Sequence, residues 1–320
     1  MNNLKSRRAF IVGLSSTKIT NKERLFLRKF KPWGVILFAR NIKTVDQTKK
    51  LTNDIKKIFK DPNYPILIDE EGGMVTRIKS IIDNSHFPAK YFGDNYKKDK
   101  TKSLLYLRTY IKQISHLLRY MGISINTVPV LDIPRPFTSK VIGTRAISKD
   151  INVINTIGEK TIEHFKEARI ATVIKHIPGH GLAKSDSHLK LPIVDKTYEY
   201  LMKNDFKTFK NKKSLFAMTA HILFKKIDAN NPVTHSSKII GIIKKKIKFR
   251  NLIISDDISM KALKFNITLN TIKAFTAGCD LVLHCNGKIK EMTKVAENSK
   301  KLNKFIIEKT LKYYRLVGND

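Results

Sequence analysis

Acidic residues and cysteines are scarce in this chain. In 320 residues, 27 aspartates and glutamates stand against 62 lysines and arginines, which gives a formal net charge of +35. The two cysteines, Cys279 and Cys285, lie in one apolar segment. A shared strand would hold them apart, so the sequence offers neither a disulfide framework nor a zinc-ligand spacing. We expect both cysteines to be core thiols.

Long apolar runs are also missing. No run approaches the roughly 20 residues that cross a membrane, so we expect no membrane partner. The chain begins with a basic stretch like that of a signal peptide, but the apolar run "AFIVGL" from Ala9 has only six residues and no small-residue cleavage site follows it. We interpret this run as the first strand and expect a cytoplasmic protein.

The positive charge does not by itself indicate a nucleic-acid partner. Lysine supplies 49 of the 62 cations and arginine 13, whereas base recognition and bidentate phosphate contacts favour arginine. A basic motif interleaved with aromatic residues, typical of RNA-binding modules, is lacking. We expect a solvated lysine-rich surface that adheres weakly to polyanions at low salt, and no specific nucleic-acid partner.

Short β-branched runs alternate with longer amphipathic ones along the whole chain, a pattern typical of βα units on a parallel sheet. Because the strands are apolar almost throughout, both their faces should be buried, which favours a closed (β/α)8 barrel over an open sheet. No linker interrupts the series, so we expect one domain. Eight strand candidates occur: "FIVGLS" from Phe10, "GVILFA" from Gly34, "PILIDE" from Pro65, "INTVPVLDI" from Ile125, "ATVIKH" from Ala171, "LFAMTAH" from Leu215, "NLIISDD" from Asn251 and "DLVLHC" from Asp280.

Polar residues end five of these strands. Any one of them is an ordinary strand-to-loop residue when taken alone. In a barrel, however, all carboxyl ends of the strands meet at one rim, where barrel enzymes keep their active sites. The sequence therefore predicts that these side chains converge: Asp69, Asp132, Lys175 with His176, His221, and Asp256 with Asp257.

The segment "KHIPGHGLAKSDSH", residues 175–188, holds three histidines. Such density is compatible with a metal site or with a proton-transfer site, because neutral imidazole binds metals and titrates near neutrality. A metal-dependent hydrolase would draw its ligands from His176, His180, His188, His221 and Asp256. Pro178 and the glycines of the segment spoil a helical ligand spacing, and the end of the first strand carries no histidine pair, so we favour proton transfer.

Six motifs together resemble the bacterial β-N-acetylhexosaminidases of glycoside hydrolase family 3. They occur in that family's order and cover nearly the whole chain. The length fits the shorter branch of the family, which implies one catalytic barrel spanning residues 1–320. The motifs are "DEEGGMVTRI" (69–78), "VIGTRAI" (141–147), "KHIPGHGLAKSDSH" (175–188), "MTAHILF" (218–224), "SDDISM" (255–260) and "AGCDLVLHCNG" (277–287).

The resemblance implies a retaining glycosidase without metal or cofactor, acting on N-acetylglucosamine-containing peptidoglycan fragments in the cytoplasm. Its nucleophile would be Asp256, although a helix-capping role, or Asp257 in its place, is an open alternative. Its acid/base would be His188, oriented by Asp186 two residues earlier. Gly179 and Gly181 would let this loop bend, so that the pair swings in after substrate binds.

Sugar binding is carried over from the family in the same way. Ionised side chains suit strong, oriented hydrogen bonds with hydroxyl groups, and an Asp69–Lys175 ion pair is compatible with that role. His180 and His221 are expected to orient their neighbours. The residues implied to bind the sugar are Asp69, Arg77, Arg145, Lys175 and His176.

One departure from the family affects an expectation. Glu70 stands where the family usually carries glutamine and adds a negative charge near the rim, so we expect it to shift neighbouring pKa values. A barrel that binds sugar without catalysis is a further alternative, but it would require an altered nucleophile or dyad. Nothing in the sequence indicates an oligomer, and we expect a monomer.

Overall fold

Eight parallel strands form a closed barrel in residues 2–318, the part of the chain that the computed structural model describes. The barrel strands are β1 (Arg8–Gly13), β2 (Pro32–Leu37), β3 (Ile66–Ile68), β4 (Ile125–Asn126), β5 (Ala171–Ile177), β7 (Phe216–Thr219), β9 (Leu252–Asp257) and β10 (Leu281–His284). The order around the barrel is β1-β10-β9-β7-β5-β4-β3-β2, which confirms the predicted (β/α)8 architecture.

Helices surround the barrel. In residues 2–318 the α-helices are α1 (Asn2–Lys5), α2 (Asn21–Phe30), α3 (Val45–Phe59), α4 (Ala89–Lys98), α5 (Lys100–Tyr120), α6 (Ile151–Glu167), α7 (Tyr198–Lys203), α8 (Ser237–Lys245), α9 (Ile267–Ala277), α10 (Ile289–Glu297) and α11 (Lys304–Val317). Within the same described residues, 3₁₀ helices span Ala39–Asn41, Gly143–Arg145, Asp205–Phe209 and Val233–His235.

The alternation of side chains along each strand divides the core in two. Ala9 and Ile11 of β1 point into the barrel, where they join one apolar cluster. Phe10 and Val12 point outward and join a larger cluster between strands and helices. Because both faces of every strand are covered, the strands lack the polar alternation of a half-exposed sheet.

The amino-terminal end of the barrel is closed by α11. Trp33 of β2 lies inside this end, and its indole Nε1 donates to Thr310 Oγ1 at 2.9 Å. Tyr313 of the same helix packs against Phe216 and Trp33. The opposite, carboxyl-terminal rim is left for the loops that follow the strands.

The fourth strand is shorter than predicted. The motif "INTVPVLDI" predicted nine residues of strand, but β4 has two, and Val130 then forms an isolated bridge with Lys175. Pro129 lacks the backbone N–H that a central strand needs for its ladder. The residues beyond it, including Asp132, therefore follow an irregular path along β5.

A small second sheet lies above the rim. β6 (Ile193–Val194) pairs in parallel with β8 (Leu223–Phe224). This pairing ties the end of the long loop after β5 to the segment that follows β7. No helix in the described residues is long and apolar enough to cross a membrane.

Candidate active site

The polar strand ends do converge on one cavity at the carboxyl-terminal rim. Seven of the eight predicted site residues line it, and the eighth, Asp186, is hydrogen-bonded to His188 at its edge. Asp132 and His221, also predicted to converge, are fully buried beneath the lining. The seven are Asp69, Arg77, Arg145, Lys175, His176, His188 and Asp256.

Lys175 lies at the centre of an ionic network in the cavity floor. Its ammonium contacts a carboxylate oxygen of Asp69 and lies 2.5 Å from Glu71 Oε1. Arg77 donates to Asp69 Oδ2 at 2.7 Å, and Arg145 makes two hydrogen bonds of 2.8 Å to Glu71. Three cations and two carboxylates thus hold one another in place.

This network keeps both carboxylates ionised. Burial opposes the charge on Asp69, but Lys175, Arg77 and Arg145 together hold the pKa of Asp69 well below its usual range. The pKa of Glu71 is lowered by the same balance, with Lys175 and Arg145 outweighing burial. The floor therefore offers fixed charges of both signs to hydroxyl groups of a ligand.

His176 is oriented by a buried aspartate. Its Nδ1 lies 2.7 Å from Asp132 Oδ2, and its Nε2 lies 3.4 Å from Arg145 Nη2. Asp132 also accepts from the backbone N–H of His180 at 2.7 Å. The imidazoles of His176 and His180 lower the pKa of Asp132 in spite of its burial, so this carboxylate fixes the start of the loop that follows β5.

Asp256, at the end of β9, faces the cavity as an anion. Burial opposes its ionisation, but the imidazoles of His221 and His176 and the N–H of Asp257 lower the pKa of Asp256 below its ordinary value. Asp257, in contrast, directs its carboxylate to Ser259, whose N–H and hydroxyl it accepts at 3.0 and 2.8 Å. Of the two neighbours, Asp257 is the one that caps a turn.

The imidazole of His188 lies at the cavity edge with its partner. Its Nδ1 lies 2.7 Å from Asp186 Oδ1, and its side chain is 59% exposed. Burial opposes the charge on Asp186, yet the N–H and ring of His188 lower the pKa of this carboxyl. The two-residue spacing thus produces the expected hydrogen-bonded pair.

The two glycines of this loop are closely packed. Residues 177–183 are all buried, and a Cβ added at Gly181 would lie 1.9 Å from the carbonyl oxygen of Ile133. Gly179 has φ +144° and faces Asp205. Both glycines thus have close neighbours that leave no room for a side chain, and bending of the loop at these positions stays a prediction. Apart from Ser187, residues 184–190 are exposed or half-exposed.

Sequence reasoning missed Glu71 and misjudged Cys285. Glu71 is one residue in the acidic run "DEE", and the signal that distinguishes it is its two cationic partners, which are distant in the chain. Cys279 is buried as expected, whereas Cys285 is half-buried and lines the cavity. Burial and the nearby Asp257 and Asp256 raise the pKa of the Cys285 thiol, so it remains protonated.

Glu70 does not reach the cavity. Its buried carboxylate accepts hydrogen bonds from the side chain of Asn84 at 2.7 Å and from the backbone N–H groups of Gly72, Arg77 and Ile78. Burial raises the pKa of Glu70, and these donors oppose the rise. Burial, and to a smaller extent the charge of Glu70, raise the pKa of Tyr110, which lies outside the cavity lining.

The side chains proposed for a metal site have other partners. His221 uses both ring nitrogens, Nδ1 with Thr234 Oγ1 at 2.7 Å and Nε2 with the carbonyl of Asp257 at 3.0 Å. Among residues 2–318, no three His, Cys, Asp or Glu side chains have the arrangement of a metal-binding group.

Comparison with known proteins identifies the enzyme class. The model of the glycosyl hydrolase family 3 N-terminal domain matches residues 4–313. The β-hexosaminidase of Methylobacillus flagellatus is 32% identical over 282 residues, which cover 86% of this chain and 80% of that one. The β-hexosaminidase of Aromatoleum aromaticum is 29% identical over 281 residues, or 86% and 78% of the two chains.

Solved structures agree in fold. NagZ from Neisseria gonorrhoeae, in complex with N-trifluoroacetyl-D-glucosamine, has a TM-score of 0.85 at 25% identity, covering 96% of this chain and 90% of that one. A family 3 β-N-acetylglucosaminidase from Paenibacillus sp. has a TM-score of 0.87 at 23% identity. It matches 99% of this chain, which spans 62% of that longer protein.

The barrel and these relatives define a glycoside hydrolase. The chain belongs to glycosyl hydrolase family 3, where it is a β-hexosaminidase.

Proposed function

We propose that the chain is a retaining exo-β-N-acetylglucosaminidase that works through a covalent glycosyl-enzyme intermediate. The observation that carries this proposal is one cavity lined by both the half-buried, ionised Asp256 and the exposed His188 of the Asp186–His188 pair. A retaining glycosidase needs an ionised carboxylate as its nucleophile, the role we give to Asp256, and a group that gives and takes protons, the role we give to His188.

The two groups divide the chemistry between them. Asp256 attacks the anomeric carbon while His188 gives its proton to the leaving oxygen, which breaks the glycosidic bond. His188, now neutral, then takes a proton from a water molecule that attacks the anomeric carbon and releases Asp256. Asp186 stabilises the imidazolium form of His188 and holds the ring in one orientation through the 2.7 Å bond to Nδ1.

The charged cavity floor binds the sugar. Asp69 and Arg77 keep partly exposed side chains, 17% and 28%, so their remaining hydrogen-bonding capacity faces the cavity. Lys175, Arg145 and His176 are more deeply buried. Lys175 contacts Asp69 directly, Glu71 holds Lys175 and Arg145, and Asp132 orients His176. Oriented ionic partners of this kind bind hydroxyl groups strongly because they need no reorganisation.

The substrate is a terminal N-acetylglucosamine on a peptidoglycan-derived muropeptide. The related Neisseria protein was solved with N-trifluoroacetyl-D-glucosamine, which supports the sugar. The net charge of +35 favours encounter with anionic fragments of this kind. We place the activity in peptidoglycan recycling in the cytoplasm, and we propose that residues 1–320 act as one catalytic barrel and as a monomer.

Hydrolysis of paired aryl glycosides tests the proposal. The parent protein should release the aryl group from an N-acetylglucosaminide and leave the matching glucoside intact. Prolonged treatment with EDTA should not change the rate. Preference for the glucoside, or loss of turnover that zinc or manganese restores, would contradict the proposal. Release of N-acetylglucosamine from a purified muropeptide then tests the natural leaving group.

A further inference from the structure

Ser187 is distinguished from its neighbours by burial. It lies between Asp186 and His188, the two members of the dyad. All the remaining residues of the segment 184–190 are exposed or half-exposed. Ser187 is 4% exposed and lines the cavity wall. Burying a hydroxyl group costs free energy unless it is hydrogen-bonded, so its partners indicate its role.

Ser187 connects the dyad segment to two parts of the barrel. Its hydroxyl lies 3.2 Å from His180 Nε2, and its carbonyl accepts from the N–H of Ala262 at 3.2 Å. His180 follows β5, and Ala262 follows Asp256 on the segment after β9. In the described chain, these two hydrogen bonds are the ones that link residues 184–190 to the rest of the protein. The bonds of Asp186 and His188 stay within the segment.

His180 is itself rigidly held. Its N–H donates to Asp132, its ring lies 5.5 Å from that of His176, and the residue is 3% exposed. Within the described residues its Nδ1 has no hydrogen-bond partner, so Ser187 is the partner of this ring. Burial lowers the pKa of His180 to about 4, so the ring is neutral under assay conditions and takes no part in proton transfer.

We infer that His180 and Ser187 form a positioning pair that docks the Asp186–His188 dyad against the barrel. The hydrogen bond between His180 and Ser187 sets the height of the His188 imidazole above the cavity. The hydrogen bond from Ala262 to the Ser187 carbonyl sets the position of the same imidazole relative to the segment that carries Asp256. Neither residue is required for binding the sugar. This inference rests on the proposed function, because it assigns His188 the acid/base steps.

The test compares two substrates that depend differently on His188. A dinitrophenyl leaving group departs without protonation, whereas a methylphenyl leaving group needs the acid. We expect Ser187→Ala to lower kcat/KM for the methylphenyl N-acetylglucosaminide about three- to tenfold, the effect of one neutral hydrogen bond, and to leave kcat/KM for the dinitrophenyl substrate within about twofold. Azide should raise kcat of Ser187→Ala on the dinitrophenyl substrate. Deglycosylation by water needs His188 as a base, whereas azide attacks the intermediate without one.

Matched variants separate docking from general damage. Ser185→Ala removes the same atom from the same loop at a half-exposed position and should match the parent. His180→Gln, whose amide reaches the position of Nε2, should recover part of the rate lost in His180→Leu. The double variant His180→Leu/Ser187→Ala should be no slower than the slower single variant, because both remove one interaction.

Three results would overturn the inference. Equal losses on both substrates would assign Ser187 to sugar binding, unchanged rates would show that the hydrogen bond does not dock the dyad, and additive losses would show that the two residues act separately. Each result requires a parent that hydrolyses both N-acetylglucosaminides. A parent inactive on both would overturn the proposed function first, so the two failures are distinguishable.

Discussion

Asp256 and Asp257 are adjacent in sequence but have opposite surroundings. Asp256 faces the cavity, beside His221 and His176, which lower its pKa. Asp257 faces Ser259 and caps a turn. Both aspartates line the cavity, so our proposal that Asp256 is the nucleophile rests on the different partners of the two carboxylates.

Alanine variants of Asp256 and Asp257 test which of the two aspartates is the nucleophile. Asp256→Ala should lower kcat on an aryl N-acetylglucosaminide by a factor on the order of 10³ or more, because it removes the covalent catalyst. Asp257→Ala is the matched control and should lose far less activity, with a lower melting temperature from the lost turn. Steady-state kinetics and circular dichroism measure both effects. An active Asp256→Ala with an inactive Asp257→Ala would reassign the nucleophile.

A buried histidine outside the cavity lining makes stability depend on pH. Burial, His221 and Lys273 lower the pKa of His235 to about 4. Between pH 6.5 and pH 4 the unfolded chain binds a proton at this residue and the folded chain does not, so stability falls as pH falls. At pH 5 this amounts to about 2 kcal/mol.

Urea unfolding at pH 7 and pH 5 measures the effect. His235→Gln should lose less stability than the parent over this range, by about 2 kcal/mol. His116→Gln, at an exposed position on α5, should show the same pH dependence as the parent. An identical pH dependence in all three proteins would mean that His235 does not stay neutral in the folded state.

Among the elements, the loop after β5 combines the most and the least packed parts of the site. Residues 177–183 are buried against other backbone segments, while residues 184–190 carry the dyad on the surface. A loop built in this way holds its base in place and leaves motion to its tip. Substitutions in residues 177–183 should therefore lower the stability of the fold, whereas substitutions in residues 184–190 should mainly change activity.

The dyad itself should follow the pattern of a general acid/base. His188→Ala should keep much of its kcat/KM on a dinitrophenyl glycoside and lose it on substrates with poor leaving groups, and azide should speed its slow deglycosylation. Asp186→Asn should reduce kcat and leave KM nearly unchanged, because the imidazolium loses its partner. If both variants turn over every substrate at the parent rate, the acid/base assignment is wrong.

Replacing glycine by alanine should have opposite effects on stability at two helical positions. A Cβ at Gly241 in α8 meets no atom within 4 Å, so Gly241→Ala should stabilise the protein by about 0.5–1 kcal/mol through lower backbone entropy in the unfolded state. A Cβ at Gly93 in α4 would lie 1.8 Å from the Ile147 carbonyl oxygen. Gly93→Ala should therefore destabilise by about 1–3 kcal/mol. Thermal unfolding gives the two signs directly.

On the scale of the whole molecule, one end of the barrel carries the candidate active site and the other end carries contacts that stabilise the fold. The carboxyl-terminal rim carries the cavity, and the amino-terminal end is closed by α11 and a buried ion pair. Arg7 lies 2.5 Å from Asp61 and stacks 4.7 Å from the ring centre of Tyr64. Barrel enzymes commonly divide catalysis and stability between the two ends in this way.

Breaking this ion pair should affect stability alone. Arg7→Met leaves Asp61 without its buried partner and should cost about 3–5 kcal/mol of unfolding free energy, while kcat at low temperature stays at the parent value. Lys90→Met removes one member of an exposed ion pair with Asp94 and should change stability by less than about 1 kcal/mol. A loss of activity in folded Arg7→Met would mean that the two ends are coupled.

Much of the architecture was predictable because its signals are local. The apolar strand runs, the periodic helices and the polar strand ends are each visible within a dozen residues, and together they indicated a barrel with a convergent rim. The shortness of β4 also has a local cause, since Pro129 has no backbone N–H to donate to a neighbouring strand. The site residues Asp69, Lys175 and Asp256 followed from the rim and from the family resemblance.

By itself, the sequence determined the order of the elements, the closed barrel and the two-residue gap that joins Asp186 to His188, because spacing and periodicity act over short distances. The tertiary structure alone decided that Glu71 holds Lys175 and Arg145, that Glu70 turns away from the cavity, and that Ser187 reaches His180. These contacts join elements that are separate along the chain. They depend on how the barrel closes and on the direction of each side chain, which no local pattern encodes.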